Sequence, residues 1–250
     1  MSEHLIFFID FLGFSKATCD WDEPKMAALI KLLHDLASLR SEFSFGEKLR
    51  EGGTEFHIRP AITTFSDHIV ISYPAKHMVK LGEDDYLGSA LLLSQHLIGG
   101  LAANAMRLGL LIRGGATIGN LYHAGGVVIG KAMVEAYELE SRVAIYPRIV
   151  VARKLYSQVK TTPRDMVLLE DHDGITHFNY FVSMILAGGG SPGADFKQQM
   201  NAWLAEARRI IAENIDTFEK QERWNELAKW AWFKNNLEKT RTRLNKALFE

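Results

Sequence analysis

A single cysteine, Cys19, occurs in 250 residues. That excludes an internal disulfide and any cysteine-rich zinc centre. It also fits a reducing compartment, so a cytoplasmic location is expected. A lone thiol of this kind is expected to be a small packing residue rather than a nucleophile. Charge of one sign is lacking too. Lys and Arg number 29 and Asp and Glu 30, a formal net charge of −1. No basic field of the kind that draws nucleic acid or an anionic membrane is present. Long apolar runs are scarce. The longest candidate, Leu87 to Ile112, is interrupted by Gln95, His96, Asn104 and Arg107. It reads as a buried helix followed by a strand, not as a membrane span. The first ten residues, MSEHLIFFID, have no basic segment, and Asp10 breaks their apolar run, so they are not read as a secretory signal. There is no GKS or GKT loop, no internal repeat and no low-complexity tract.

The composition that remains, 47% hydrophobic and 24% charged, is that of a globular chain with a sizeable core. Residues 4–11, HLIFFIDF, predict a buried strand. LGFS then turns towards a helix start, and Glu23 to Ser41 has helical periodicity with Pro24 in its first turn. Residues 44–54 read as a loop. The block EFHIRPAITTFSDHIVISYP predicts two strands joined by a hairpin at Ser66-Asp67, with Pro60 implying an edge or a bulge. Asp84 to Leu108 predicts a helix and Leu110 to Ile118 a strand. An irregular Gly-rich connection then leads to Gly130 and a helix to about Val143. Arg148 to Val151, Met166 to Leu169 and Thr176 to Tyr180 predict further strands, the last two separated by the turn-like Asp171 to Gly174. After Gly188 the chain becomes helical to its end, with a break near Thr217 to Gln221. The expected fold is α+β. The expected division is a catalytic domain over 1–187, a Gly/Pro linker at 188–193 and a helical extension over 194–250.

Asp10 ends a buried apolar strand and Asp67 tops a hairpin. Leaving an unpaired carboxylate in such a place is costly, so two of them beside one sheet point to a divalent cation. Mg²⁺ or Mn²⁺ is held by one or two carboxylates together with substrate phosphates. Phe11-Leu12-Gly13-Phe14-Ser15 follows Asp10 and could offer backbone N–H groups to a polyphosphate. Arg113 opens the strand bearing Gly114-Gly115, and an arginine fork matches phosphate geometry.

The order of these pieces resembles the class III nucleotidyl cyclase domain. That family has F-x-D-x-x-G-F-[ST] on its first strand, here Phe8, Asp10, Gly13, Phe14 and Ser15. Its hairpin G-D is FSD here, its R-x-G-x-x-x-G strand is RGGATIG, and its helix is GKAMVEAYELE. The likeness covers about residues 4–180. It implies an α+β cyclase-like sheet with flanking helices, two ions held by Asp10 and Asp67 with the Phe11 carbonyl, and phosphates bound by Phe11, Leu12, Gly13, Phe14 and Arg113. It further implies a head-to-tail homodimer with shared active sites. The family's transition-state Asn and Arg fall on Val134 and Glu138, and its purine-reading Lys and acid on Thr63 and Val128. Metal and phosphate groups are kept and purine readers lost, a combination that resembles the pyrimidine cyclases of bacterial Pycsar anti-phage defence. The resemblance therefore implies UTP or CTP as substrate, cyclic UMP or cyclic CMP as product, and a separate effector. Phe56 and Arg59 are candidates to meet the base, against core packing and a surface charge as their plain roles. Tyr137 could be core or interface, and Lys131 could meet a phosphate or solvent. A purine cyclase with atypical readers and a non-catalytic relative are the alternatives.

Overall fold

The structure is a computed structural model and describes residues 1–38, 60–74, 86–159, 164–188 and 195–249. Strand β1 (Ser2–Leu12) is central, flanked by antiparallel β3 (His68–Pro74) and antiparallel β4 (Leu111–Ala124). Strand β2 (Ala61–Phe65) closes one edge beyond β3, with Pro60 just outside it. An edge strand tolerates the missing N–H of proline. On the other side β6 (Ile149–Val151) pairs with β4 in parallel. Strands β8 (Thr176–Phe178) and β7 (Leu168–Glu170) complete the antiparallel end. The sheet order is β2-β3-β1-β4-β6-β8-β7, and β5 (Val127–Ile129) pairs off this path with β4. The α+β expectation holds.

The two faces of this sheet differ greatly. Successive side chains of a strand point to opposite faces. Leu5, Phe7, Ile9 and Phe11 therefore enter a large core built with helices α2 (Glu23–Ser38), α3 (Tyr86–Arg107) and α7 (Phe181–Gly188). Met200, Trp203, Leu204 and Ile211 of α8 (Phe196–Lys220) and Trp230, Trp232, Phe233 and Leu237 of α9 (Trp224–Phe249) join the same core. Ile6 and Phe8 face the other way, into a small cluster with Val70, Leu121, Ala132 and Ala136. Among the described residues that thin side is roofed by α4 (Lys131–Arg142), whose Ala132 and Ala136 lie one helical turn apart on its buried face.

Several local expectations are corrected. The Gly-rich connection is no irregular loop: β4 runs on to Ala124 and folds back as β5 through Gly125 and Gly126, both at positive φ. That is the backbone of a two-residue hairpin turn, for which Gly-Gly is a preferred sequence. Met166 and Val167 lie in a short helix, α6 (Arg164–Val167), and only Leu168–Glu170 is strand. Cys19 is exposed rather than packed, because α1 (Phe14–Asp20) turns that face outward. Helices α5 (Arg153–Gln158) and α7 have no counterpart in the sequence reading. Residues 44–54, Phe56, Arg59 and linker positions 189–193 lie outside the described residues. No helix among the described residues is long and apolar enough to cross a membrane.

Candidate functional site

The register of the sheet places three charged residues side by side. Asp10 on β1 lies opposite His68 on β3 and opposite Arg113 on β4. Directly opposed residues share a face, so all three point to the thin side, where α4 adds Glu140. Ala132, Ala136 and Glu140 recur at four-residue spacing, so this acid continues the buried stripe of the helix. Contact between strand and helix is close because residue 115 is glycine. A Cβ there would stand 2.1 Å from the Ala136 carbonyl oxygen and 2.7 Å from Leu139 Cβ.

Arg113 Nε donates to Asp10 Oδ2 at 2.9 Å. Its second terminal nitrogen lies 2.7 Å from Glu140 Oε1. That contact is an ion pair without hydrogen-bond alignment, since the same oxygen is buried with no hydrogen-bond donor directed at it. Burial pushes the Glu140 carboxyl above its ordinary pKa; Arg113 opposes this, and the neighbouring Asp10 adds to it. His68 Nδ1 is 3.1 Å from Asp67 Oδ1, and its Nε2 is 3.9 Å from Asp10 Oδ1. The His68 ring also lies against Phe8, with centroids 5.1 Å apart. Asp67 occupies the two-residue β2–β3 turn, and its carbonyl accepts the Phe11 N–H at 3.3 Å. That bond ties the hairpin tip to β1 beside Asp10.

Asp10, Asp67 and His68 each offer one ligand atom, all within 4.8 Å of one another. Two hard carboxylates with unfilled oxygen positions suit Mg²⁺ or Mn²⁺, and one imidazole does not exclude either. The residues present therefore fit a divalent ion. An open cleft of about 490 Å³ lies over them. Phe11, Leu12, Gly13, Phe14 and Ser15 form one wall, Tyr137 and Glu140 another. Gly13 has φ 96°, which a side chain would strain.

Of the sequence candidates, Asp10, Asp67, Arg113 and the 11–14 turn thus meet at one cleft, while Phe56 and Arg59 fall outside the described residues. Tyr137 is half-exposed and meets Phe8 edge-on at 5.7 Å, and Lys131 is exposed. Val134 is exposed, and Glu138 pairs loosely with Arg142 at 3.6 Å. The Thr63 and Ser72 hydroxyls hydrogen-bond the two nitrogens of His123 at 2.9 and 2.8 Å. Sequence reasoning missed His68, although it directly follows Asp67. It also missed Glu140, whose signal was an acid continuing the apolar stripe of α4. Arg223 and Glu226, which also border the cleft, carry no local signal at all.

No family model matches the chain, and no curated protein matches it. Among solved structures, the chain is similar to a bacterial light-regulated adenylyl cyclase. The TM-score is 0.42 at 14% sequence identity, over 81% of this chain and 98% of that one.

Proposed function

We propose that the chain is a metal-dependent nucleotidyl cyclase that converts UTP or CTP to the 3′,5′-cyclic monophosphate and diphosphate. The observation that carries this reading is the convergence of Asp10, Asp67 and Arg113 on one open cleft from three separate strands and turns. Asp10 and Asp67 would hold two divalent ions, Mn²⁺ or Mg²⁺, with the Phe11 carbonyl alongside. Such ions, when bound, offset triphosphate charge and make the ribose 3′-hydroxyl more acidic. The chain's own groups do the rest. Arg113, now paired to Asp10, would turn its fork to the phosphates once the carboxylate is engaged elsewhere. The 11–14 turn would orient the tail. The bond formed joins the 3′-oxygen to the α-phosphorus; the bond broken joins that phosphorus to the bridging oxygen of the leaving diphosphate, which takes the electron pair. The hydroxyl proton leaves to solvent.

Support for a pyrimidine comes from what stands at the purine-reading places. Thr63 is engaged with His123, and Val128 is apolar, so neither offers the charge that a purine reader would supply. Phe56 and Arg59 stay candidates for the base on the resemblance alone. By the same resemblance, the product would act on a separate effector in anti-phage defence. A homodimer with shared sites is supported by apolar side chains left exposed on β2, β4, β5 and α4: Phe65, Tyr122, Val127, Ile129 and Val134. The exposed Val134 and Glu138, where the family carries Asn and Arg, favour the non-catalytic alternative.

One experiment separates these readings. The purified protein is incubated with each nucleoside triphosphate and Mn²⁺, and products are resolved by mass spectrometry. Cyclic product from UTP or CTP is expected. Preference for ATP or GTP would overturn the pyrimidine assignment, and binding without product from any of the four would leave the non-catalytic reading standing.

A further inference from the structure

The cleft has a wall that does not come from the sheet or from α4. Arg223, just before α9, and Glu226, in its first turn, border it together with Asp10, Gly13 and Arg113. The same two side chains also border an adjoining pocket of about 250 Å³, which includes Gly13, Trp21, Lys229 and Trp230. Arg223 therefore stands where two hollows meet.

Its position is fixed from several directions. The Arg223 N–H donates to the Phe218 carbonyl at 2.9 Å, and its own carbonyl accepts the Leu227 N–H at 3.0 Å. Glu222, just before it, adopts φ 53°, a left-handed conformation unusual for a residue with a side chain. The guanidinium carbon sits 4.7 Å from the centre of the Phe218 ring. Behind the turn, α9 is anchored by Trp230 and Trp232 in the core.

The fork itself is poorly used. Nε and one terminal nitrogen both donate to a single oxygen, Glu226 Oε1, at 3.1 and 2.6 Å. Neither bond engages the other terminal nitrogen or Glu226 Oε2. Side chains exposed to 26% and 36% make this a pair of small net worth. A phosphate accepts the fork bidentately and binds it more strongly than one shared oxygen does. A phosphate can therefore compete with Glu226 for the fork.

We infer that Arg223, supplied by the C-terminal helices, binds the outer phosphates of a nucleoside triphosphate whose reacting end lies at Asp10 and Arg113, and that Glu226 holds its fork until they arrive. This rests on the nucleotide reading given above. It assigns to the helical extension a part in substrate binding: among the described residues lining the cleft, Arg223 adds a second arginine to Arg113.

The test uses the full chain and inorganic tripolyphosphate with Mg²⁺, followed by calorimetry. Arg223→Ala is expected to weaken tripolyphosphate binding about ten- to a hundredfold. Arg223→Lys should fall between the two, since it keeps the charge but loses the fork. Glu226→Gln should tighten binding a few-fold by releasing the arginine. In turnover, Arg223→Ala should raise KM with kcat within about threefold, the mark of binding shared by ground and transition states. Unchanged melting temperature separates this from misfolding. Equal tripolyphosphate affinity in the parent and Arg223→Ala overturns the inference, as does no binding by the parent. If binding depends on Arg223 but no cyclic product forms from any nucleotide, the cyclase reading fails and this inference survives. If product forms with KM unmoved by Arg223→Ala, the reverse holds.

Discussion

Two arginines in this molecule each lie between two acids near a histidine, and they have opposite surroundings. Arg113 joins Asp10 and Glu140 beneath an open cleft. Arg148 joins Asp171 and Asp173 and is sealed: its side chain is 1% exposed. In the sealed cluster every carboxylate oxygen is satisfied. Asp171 accepts from Arg148 at 2.9 Å, from Trp232 Nε1 at 2.7 Å and from the His172 backbone at 2.8 Å. Asp173 accepts from both terminal nitrogens of Arg148 at 2.9 and 2.6 Å and from the Ile175 N–H at 3.1 Å. Tyr146 stacks on Trp232 above them, with rings 5.9 Å apart and 8° from parallel. In the open cluster oxygens are left over, a buried Glu140 oxygen lacks a directed donor, and His68 stays 3.9 Å from Asp10. Similar residue types thus make a clasp whose carboxylate oxygens are all satisfied, though Arg148 Nε and His177 Nδ1 stay without a partner, and a site whose carboxylate oxygens are not. How fully the carboxylate oxygens are satisfied is what separates the two clusters.

The comparison can be broken most sharply by removing one acid from each cluster. Asp10→Ala and Asp67→Ala should each lower turnover at least a thousandfold, about 4 kcal/mol of transition-state stabilisation, with melting temperature nearly unmoved. Steady-state kinetics beside differential scanning fluorimetry would check it, and retained activity in either variant would remove that residue from the metal role. Asp171→Ala should do the opposite. Removing a buried acceptor shared by Arg148 and Trp232, with Asp173 left as the one carboxylate on the arginine, should cost roughly 3–4 kcal/mol, on the order of 10 °C in melting temperature, with specific activity kept at low temperature.

Acid should find the clasp before it exhausts it. Burial pushes His177 down to about 4, with the Asp171 charge opposing. Its ordinary pKa is near 6.5, so between pH 6.5 and 4 the unfolded chain binds a proton that the folded chain refuses. Stability should therefore fall by about 3 kcal/mol as pH drops through that window. Burial pushes Asp171 up, but hydrogen bonds from His172 and Trp232 outweigh it and hold it at about 2. Its contribution is present above its ordinary value and is lost between about pH 4 and 2. Urea unfolding across pH should show both losses, and His177→Gln should abolish the upper one alone. A persistent slope between pH 6.5 and 4 in that variant would assign the effect elsewhere. The smallest change expected is Trp232→Phe, which keeps the ring against Tyr146 and deletes the donor to Asp171. It should cost about 1–2 kcal/mol in urea unfolding and leave kcat unchanged.

How much of this could be read beforehand follows from distance along the chain. Asp10 and Asp67 were legible because each is marked locally, one by a strand end and one by a turn. Arg113 was legible as a cation beside a glycine pair, though its register with Asp10 needed the sheet. The hairpin after β4 had its signal in Ala-Gly-Gly-Val, but a strand of 14 residues exceeds the usual length, and the run was ended early. Helix α7, FVSMILAG, escaped because a helix buried all round has no polar face to set a period. The clasp could not be read at all. Asp171 lies 23 residues from Arg148 and 61 from Trp232, and no local pattern encodes such a meeting. Arg223 was hidden for the same reason.

At Gly115 strand and helix meet main chain to main chain, with nothing between them. The span from Arg113 to Glu140 is therefore set by atoms that every amino acid shares. Core residues beneath the sheet can exchange one methyl group for another without changing that ruler. Position 115 has no such latitude, because the smallest side chain already overlaps α4. One glycine on the thin face thus keeps the two charges at their distance.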